Sequence, residues 1–183
     1  MYNLNMRNNI ILGFVDNSYK KAEFFGAITY KYIVSGVLLI NLKKMRRENI
    51  TQKFVEFIDK YEDKLIQEDQ TIINIVLKGR IDFLPAKFGI WNFRSKISVL
   101  QHNYYGNKTL GIKAYDEKEI LDAWKNPFII HFVRAKPWNK TLKKTYIKYK
   151  KKWWKYARLT DEYKKIIYSY KKLNNLNTSY EYI

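Results

Sequence analysis

The sequence predicts an α/β fold with a basic helical tail, and three observations carry that prediction. A continuous aliphatic run, Val37 to Ile40, has the length and composition of a strand buried on both faces. Helical patterns separate it from two further apolar runs, Ile81 to Leu84 and Phe128 to Phe132. Finally, neither Pro nor Gly interrupts Asn139 to Ala157, where Leu142, Tyr146, Tyr149, Trp153 and Ala157 form one helical stripe.

Taken in order, the first strand candidate is Ile10 to Phe14, followed by a mixed stretch, Ser18 to Phe25, whose composition admits a helix. Ser35-Gly36 leads into the buried strand, and Lys43 to Arg47 leave the core. Thr51 is a plausible N-cap for a helix burying Phe54, Val55, Ile58, Tyr61 and Leu65. Glu68-Asp69-Gln70 opens the next helix, which Gly79 can stop, and Pro85 ends the strand that follows. Phe88 to Gly111 shows no sustained period and reads as irregular, with a short strand at Ile97 to Leu100. Asp116 and Glu119 have capping-box spacing for a short helix through Trp124, which Asn126-Pro127 breaks. After the basic helix, Thr160 as N-cap with Asp161 and Glu162 begins another through Tyr163, Ile166, Ile167 and Tyr170.

Composition narrows the function classes. The 183 residues allow one domain or part of a larger one, and 46% hydrophobic content supplies a core despite a net charge of +18. That charge is uneven: residues 136–183 hold 14 basic and 3 acidic side chains. Such an excess points to an anionic partner. The absence of Cys excludes disulfides, thiolate zinc sites and a thiol nucleophile. No apolar run approaches the roughly 20 residues of a membrane span, and Ile10 to Val15 is too short for a signal peptide, so a cytoplasmic location is expected. The scattered glycines form no phosphate loop, and no HExxH pattern occurs.

Three segments stand out when read together. They are Tyr32-Ile33-Val34-Ser35-Gly36-Val37-Leu38-Leu39-Ile40-Asn41-Leu42, then Glu68-Asp69-Gln70 with Asn74, then His131-Phe132 with Lys136-Pro137-Trp138. In this order they resemble the C-terminal half of family 8 glycosyltransferases, retaining sugar-nucleotide enzymes, over roughly residues 30–158. The resemblance implies a partial GT-A-like fold and transfer of a hexose from a UDP-sugar to a lipopolysaccharide or other glycan acceptor. It implies that Ser35 and Gly36 line the donor-sugar pocket, with Val34 where the family has Asn. Asp69 and Gln70 would act beside the reacting carbon, with Asn74 binding donor and Thr71 in place of a second Asp. His131 would ligate a divalent metal, Mn or Mg, while Lys136 meets the diphosphate and Trp138 borders the donor.

One family element has no counterpart here, since no Asp-x-Asp occurs in the 183 residues. The chain therefore reads as the latter part of such an enzyme, with a partial transferase domain at 1–138, its motifs at 30–138, and a tail at 139–183. Poor transfer is expected unless a separate chain supplies the N-terminal half. In the tail, Lys143, Lys144, Lys151, Lys152, Trp153 and Trp154 read as facing an anionic membrane, which makes the protein peripheral on the inner face of the cytoplasmic membrane. Two plainer readings stand beside these. The tail helix can hold its aromatic stripe inward under a solvated lysine face. The chain can also be a non-enzymatic basic module for anionic lipid or nucleic acid, although it shows no recognised nucleic-acid motif. Taken locally, His131 fits a core histidine, and Asp69 fits a helix-starting carboxylate.

Overall fold

The computed structural model describes residues 1, 3–16, 31–65, 68–91, 114–132, 136–138 and 147–173. Ser18 to Phe25, Ile97 to Leu100, Lys143 and Lys144 lie outside them. The chain divides into two units, Met1–Ile90 with Lys96–Ile129, and Trp91–Ser95 with Ile130–Ile183.

The first unit is organised by β1 (Ile11–Val15), β2 (Ile33–Ile40) and β3 (Ile81–Phe83), in the order β2-β1-β3. β2 runs antiparallel to β1 and β3 parallel to it. Every residue of β1 is buried, because each face of the strand meets its own apolar cluster. On one face Ile11, Ile33 and Ile81 pack with Ile50 and Leu77, and Met45, Phe54 and Ile73 cover them. On the other face Leu12, Leu39 and Leu84 pack under Met1, Leu4 and Met6 of the N-terminal segment.

The helices follow the predicted order with shifted boundaries. The basic stretch leaving the core is itself a helix, α1 (Leu42–Arg47), and Asn41 caps it by accepting from Lys44 N at 3.0 Å. α2 spans Ile50–Tyr61, so Thr51 lies inside the helix and does not cap it. The cap position belongs to Asn49, in the left-handed conformation at φ 49°, because burial of Ile50 draws the helix start into the core. A 3₁₀ turn (Glu62–Lys64) precedes α3 (Glu68–Val76), after which Gly79 adopts the expected positive φ of 76°.

Beyond β3, another 3₁₀ turn (Ala86–Phe88) packs against α4 (Glu117–Lys125). Asp116 caps α4 by accepting from Glu119 N at 2.7 Å. The Glu119 carboxylate does not close the capping box and instead accepts from Ala86 N at 3.0 Å, tying α4 to the turn. The expected strand at Phe128 to Phe132 is reduced to β5 (Ile130–His131), and β4 (Ile90–Trp91) is equally short. Phe128 and Ile129 instead donate their backbone N–H groups to the Lys87 carbonyl. In the second unit, α5 (Ile147–Ala157) leads to α6 (Tyr163–Leu173). Thr160 does not cap α6: its hydroxyl donates back to the Ala157 carbonyl at 2.7 Å, and the helix starts three residues later.

Arg80 ties three parts of the first unit together. Its guanidinium meets Glu48 through two bonds of 2.9 and 3.1 Å, and its Nε donates to the Asn8 carbonyl at 2.9 Å. Hydrogen bonds from Arg80 and then Arg47 lower the Glu48 carboxyl to about 2. The folded-state value lies below the ordinary 4.5, so the stabilisation is present above that pH and is lost as pH falls toward about 2. The difference in Tm between the parent and a Glu48→Gln variant is therefore expected at neutral pH and should vanish near the acid limit. A pH-independent difference would refute this assignment.

Tyr115 closes the same unit from the loop side. Its ring stacks on Phe14 at 5.1 Å, and its hydroxyl donates to the buried Leu84 carbonyl at 2.7 Å. Burial pushes the phenol well above its usual range. Tyr115→Phe keeps the stacking and orphans the carbonyl, so a loss of about 1–3 kcal/mol is expected from urea unfolding.

Candidate functional site

The candidate site begins with an irregularity in the β1–β2 ladder. Gly13 pairs with Leu38, yet Val15 pairs with Ile33, so the four residues Val34 to Val37 stand opposite Phe14 alone. An insertion of this kind bends the strand and redirects its side chains. Gly13 makes it possible, since a Cβ there would lie 2.7 Å from Ile33 Cδ1. The bulge carries Ser35, which is half-buried, and Gly36, which is exposed.

The N-terminal part of α3 stands against the bulge. Gln70 accepts from Ser35 N at 3.3 Å and donates from Nε2 to Asp16 at 2.5 Å. Asp16 is only 7% exposed and follows the last residue of β1. Tyr32 adds its hydroxyl through bonds with Thr71 and Gln70; burial first, and then the nearby Asp16 charge, raise its pKa. One turn on, Asn74 binds the backbone of Ile33 twice, accepting from N at 2.8 Å and donating to O at 2.7 Å. It also donates to the Gln70 carbonyl at 2.8 Å. These contacts make Asn74 a buried clamp between α3 and β2.

Asp69 differs from its neighbours in being exposed, with its carboxylate accepting from Gln70 N at 2.8 Å. It sits in the first turn of α3, where the helix dipole favours negative charge. Glu68, just before it, holds φ at 41°, a left-handed conformation costly for a residue with a Cβ. The first unit thus combines a rigid amide–carboxylate pair, an open carboxylate and an exposed glycine.

His131, Lys136 and Trp138 belong to the second unit. His131 is half-buried, and its buried Nδ1 has no hydrogen-bond partner among the described residues. Burial first, and the Lys136 charge second, lower its pKa and favour the neutral imidazole. A neutral ring with an open lone pair fits a divalent cation. Among the described residues, however, no three His, Asp or Glu side chains gather into a metal-binding group. Lys136 donates to the Phe132 carbonyl at 2.8 Å, and the Trp138 ring lies 5.1 Å from that of Trp153.

In the tail, Lys151 and Lys152 are exposed, while Trp153 and Trp154 are half-buried. The two indoles meet edge-on at 4.9 Å, and Trp154 meets Tyr170 at 5.0 Å. The large apolar side chains pointing outward here are Tyr156, Leu159 and Tyr168.

The sequence motifs carry roles for Ser35, Gln70 and Asn74 and none for Asp16 or Tyr32. A signal for Asp16 was present in its position at the carboxyl end of a buried strand, where open α/β sheets bind ligands. Tyr32 gave none, because an aromatic residue at a strand entrance is ordinary core.

Comparison with known proteins places the chain in a family. The family model described as glycosyl transferase family 8 matches residues 1–142. General stress protein A of Bacillus subtilis (strain 168) is 33% identical over 121 residues, covering 64% of this chain and 39% of that protein. Lipopolysaccharide 1,2-glucosyltransferase of Escherichia coli (strain K12) is 28% identical over 123 residues, covering 66% of this chain and 32% of its own length. The crystal structure of an active-site mutant of LgtC superposes with a TM-score of 0.53 at 21% identity, covering 82% of this chain and 53% of LgtC. Galactosyltransferase LgtC in complex with donor and acceptor sugar analogues gives 0.50 at 24% identity, covering 76% and 49%. At these identities the likeness to LgtC is one of fold, and the chain spans only part of each protein it matches.

Proposed function

We propose, for a chain that belongs to glycosyltransferase family 8 and has an α/β fold of the GT-A type, that its first unit holds the donor sugar during hexose transfer from a UDP-sugar to a glycan. The supporting observation is the half-buried Gln70, bonded to the buried Asp16 and to the bulge at Ser35, beside the open carboxylate of Asp69. Gly36 lets a pyranose approach the backbone closely. Asp69 accepts from sugar hydroxyls and favours the positive charge that grows on the anomeric carbon. Gln70, fixed by Asp16 and Ser35, presents a polar surface that needs no reorganisation during the reaction. Transfer with retention follows if the acceptor enters on the face the nucleotide leaves.

Lys136 would neutralise charge on the departing diphosphate. His131 would be one ligand of a divalent ion, Mn or Mg, with the remaining ligands from outside the described residues. When bound, such an ion supplies further neutralisation of that diphosphate. The reading assigns the family's Asp-x-Asp element to polypeptide beyond these 183 residues, whether a longer chain or a separate one. The E. coli relative's name makes a lipopolysaccharide glycan the first acceptor to try.

The test is binding followed by transfer. UDP-glucose or UDP-galactose with manganese is expected to raise the Tm, and hexose release is expected once the Asp-x-Asp half is added. No response to either donor in the presence of that half overturns the proposal.

A second reading concerns the tail. Tyr156, Leu159 and Tyr168 are 67%, 77% and 57% exposed on a hairpin rich in lysine, which suits peripheral attachment to anionic lipid at the inner face of the cytoplasmic membrane. Among the described residues no helix is long and apolar enough to cross a membrane. Co-sedimentation with phosphatidylglycerol vesicles should fall when Tyr156 and Leu159 are changed to Ser; unchanged binding rejects this surface.

A further inference from the structure

α5 and α6 line an open-sided cavity of about 640 Å³ that the donor site does not use. One wall is a single face of α5, where Lys151, Trp154, Lys155 and Arg158 recur at three- and four-residue steps. The opposite wall is Tyr163, Ile167 and Tyr170 of α6, again one helical face. Trp154 and Tyr170 meet edge-on at 5.0 Å, which fixes the orientation of both rings. Lys150 lies 5.4 Å from the Tyr170 ring centroid.

Two chemistries therefore share one concavity. α5 contains no Asp or Glu, and among the described residues Lys151 and Lys155 form no ion pair with a carboxylate. Lys151 and Lys155 are one helical turn apart, where like charges repel, and an anion placed between them relieves that repulsion. The rings give the lining an apolar surface suited to a ligand that has an apolar face of its own. Inorganic phosphate would satisfy the lysines and leave the aromatic walls untouched. A neutral sugar would stack and leave Lys151 and Lys155 unanswered. The volume exceeds what either needs alone and falls in the range of small-molecule sites.

We infer that this cavity binds a phosphorylated saccharide, with the phosphate between Lys151 and Lys155 and the C–H face of the sugar against Trp154 and Tyr163. In the context of transfer it would anchor a phosphate-bearing part of the glycan acceptor, and that role rests on the transferase reading. The binding itself does not depend on it. A fluid anionic membrane surface is the less suitable occupant, because the outward-facing Tyr156, Leu159 and Tyr168 do not line the cavity.

The test uses the full chain with glucose 1-phosphate, glucose and inorganic phosphate as separate probes, and phosphatidylglycerol vesicles as a fourth. Binding is followed on the indole N–H resonance of Trp154, assigned with Trp154→Phe. Glucose 1-phosphate is expected to bind at least about tenfold more tightly than glucose or phosphate. The variant Lys151→Gln/Lys155→Gln changes two exposed side chains and leaves the fold intact by circular dichroism, and it should weaken that binding about tenfold. Equal affinity for phosphate and glucose 1-phosphate, an unaffected variant, or a Trp154 resonance that responds to vesicles and not to glucose 1-phosphate would each overturn the assignment. Glucose 1-phosphate carries no nucleotide, so the Trp154 resonance reports this cavity whether or not a UDP-hexose binds at Gln70.

Discussion

With the Asp-x-Asp half supplied, as the proposed function requires, replacing Gln70 with glutamate is expected to lower hexose transfer about 100-fold or more, the scale of losing one fixed polar group at a reacting centre. The change also sets a second carboxylate against Asp16, in place of an amide that now donates to it at 2.5 Å. Two carboxylates at that distance cannot both ionise, so the pair retains a proton to higher pH when folded than when unfolded. A raised folded-state pKa gives stability that is present below the ordinary carboxylate range and lost as pH rises through the folded value. The variant should therefore be near parental stability at a pH of about 4 and fall behind progressively toward neutrality. Adding Asp16→Asn restores a carboxylate–amide pair with the roles exchanged. That double variant should recover neutral-pH stability while transfer remains low. Full transfer by the single variant, or a pH-independent stability loss, would contradict the role given to Gln70.

Asn74→Ala should give the largest loss of stability. The change orphans both backbone groups of the fully buried Ile33 and removes an additional bond to the Gln70 carbonyl, which keeps its helical partner, the backbone N–H of residue 74. At about 1–3 kcal/mol for each stranded buried group, partly relieved by relaxation, a total near 3 kcal/mol is expected. For a chain of this size that corresponds to a Tm lower by about 10 °C. Asn74→Asp is a useful companion, because it keeps the acceptor for Ile33 N and removes both donors. It should fall between the parent and the alanine variant near pH 3 and drop further once ionised. If Asn74→Ala were nearly neutral for stability and affected only donor binding, the clamp would be disproved and a direct ligand contact favoured.

These two residues show what spacing can and cannot reveal. Gln70 and Asn74 are one helical turn apart, so the sequence placed them on one face of α3 beside each other. It could not distinguish their roles, since both are amides of similar size. The structure separates them by burial: Asn74 is enclosed against β2, while Gln70 reaches the buried end of β1 and the bulge. Asp16 was missed because its partner lies 54 residues away and no local pattern links the two. The start of α2 slipped for a similar reason, as the core claimed Ile50 and tertiary packing overruled the cap preference of Thr51.

What the sequence by itself determined was the alternation of strands and helices, the capped start of α4, the glycine stop after α3 and the concentration of positive charge at the end of the chain. Each of these depends on side chains close in sequence, where period, cap chemistry and composition act locally. Only the tertiary structure decided that four residues of β2 stand opposite one of β1, that Gln70 joins Ser35 to a buried aspartate, and that the lysines and aromatic rings of two helices line a cavity. Those features come from contacts between distant segments, whose energies depend on burial and on which polar groups lose water together. No window of the sequence contains both partners.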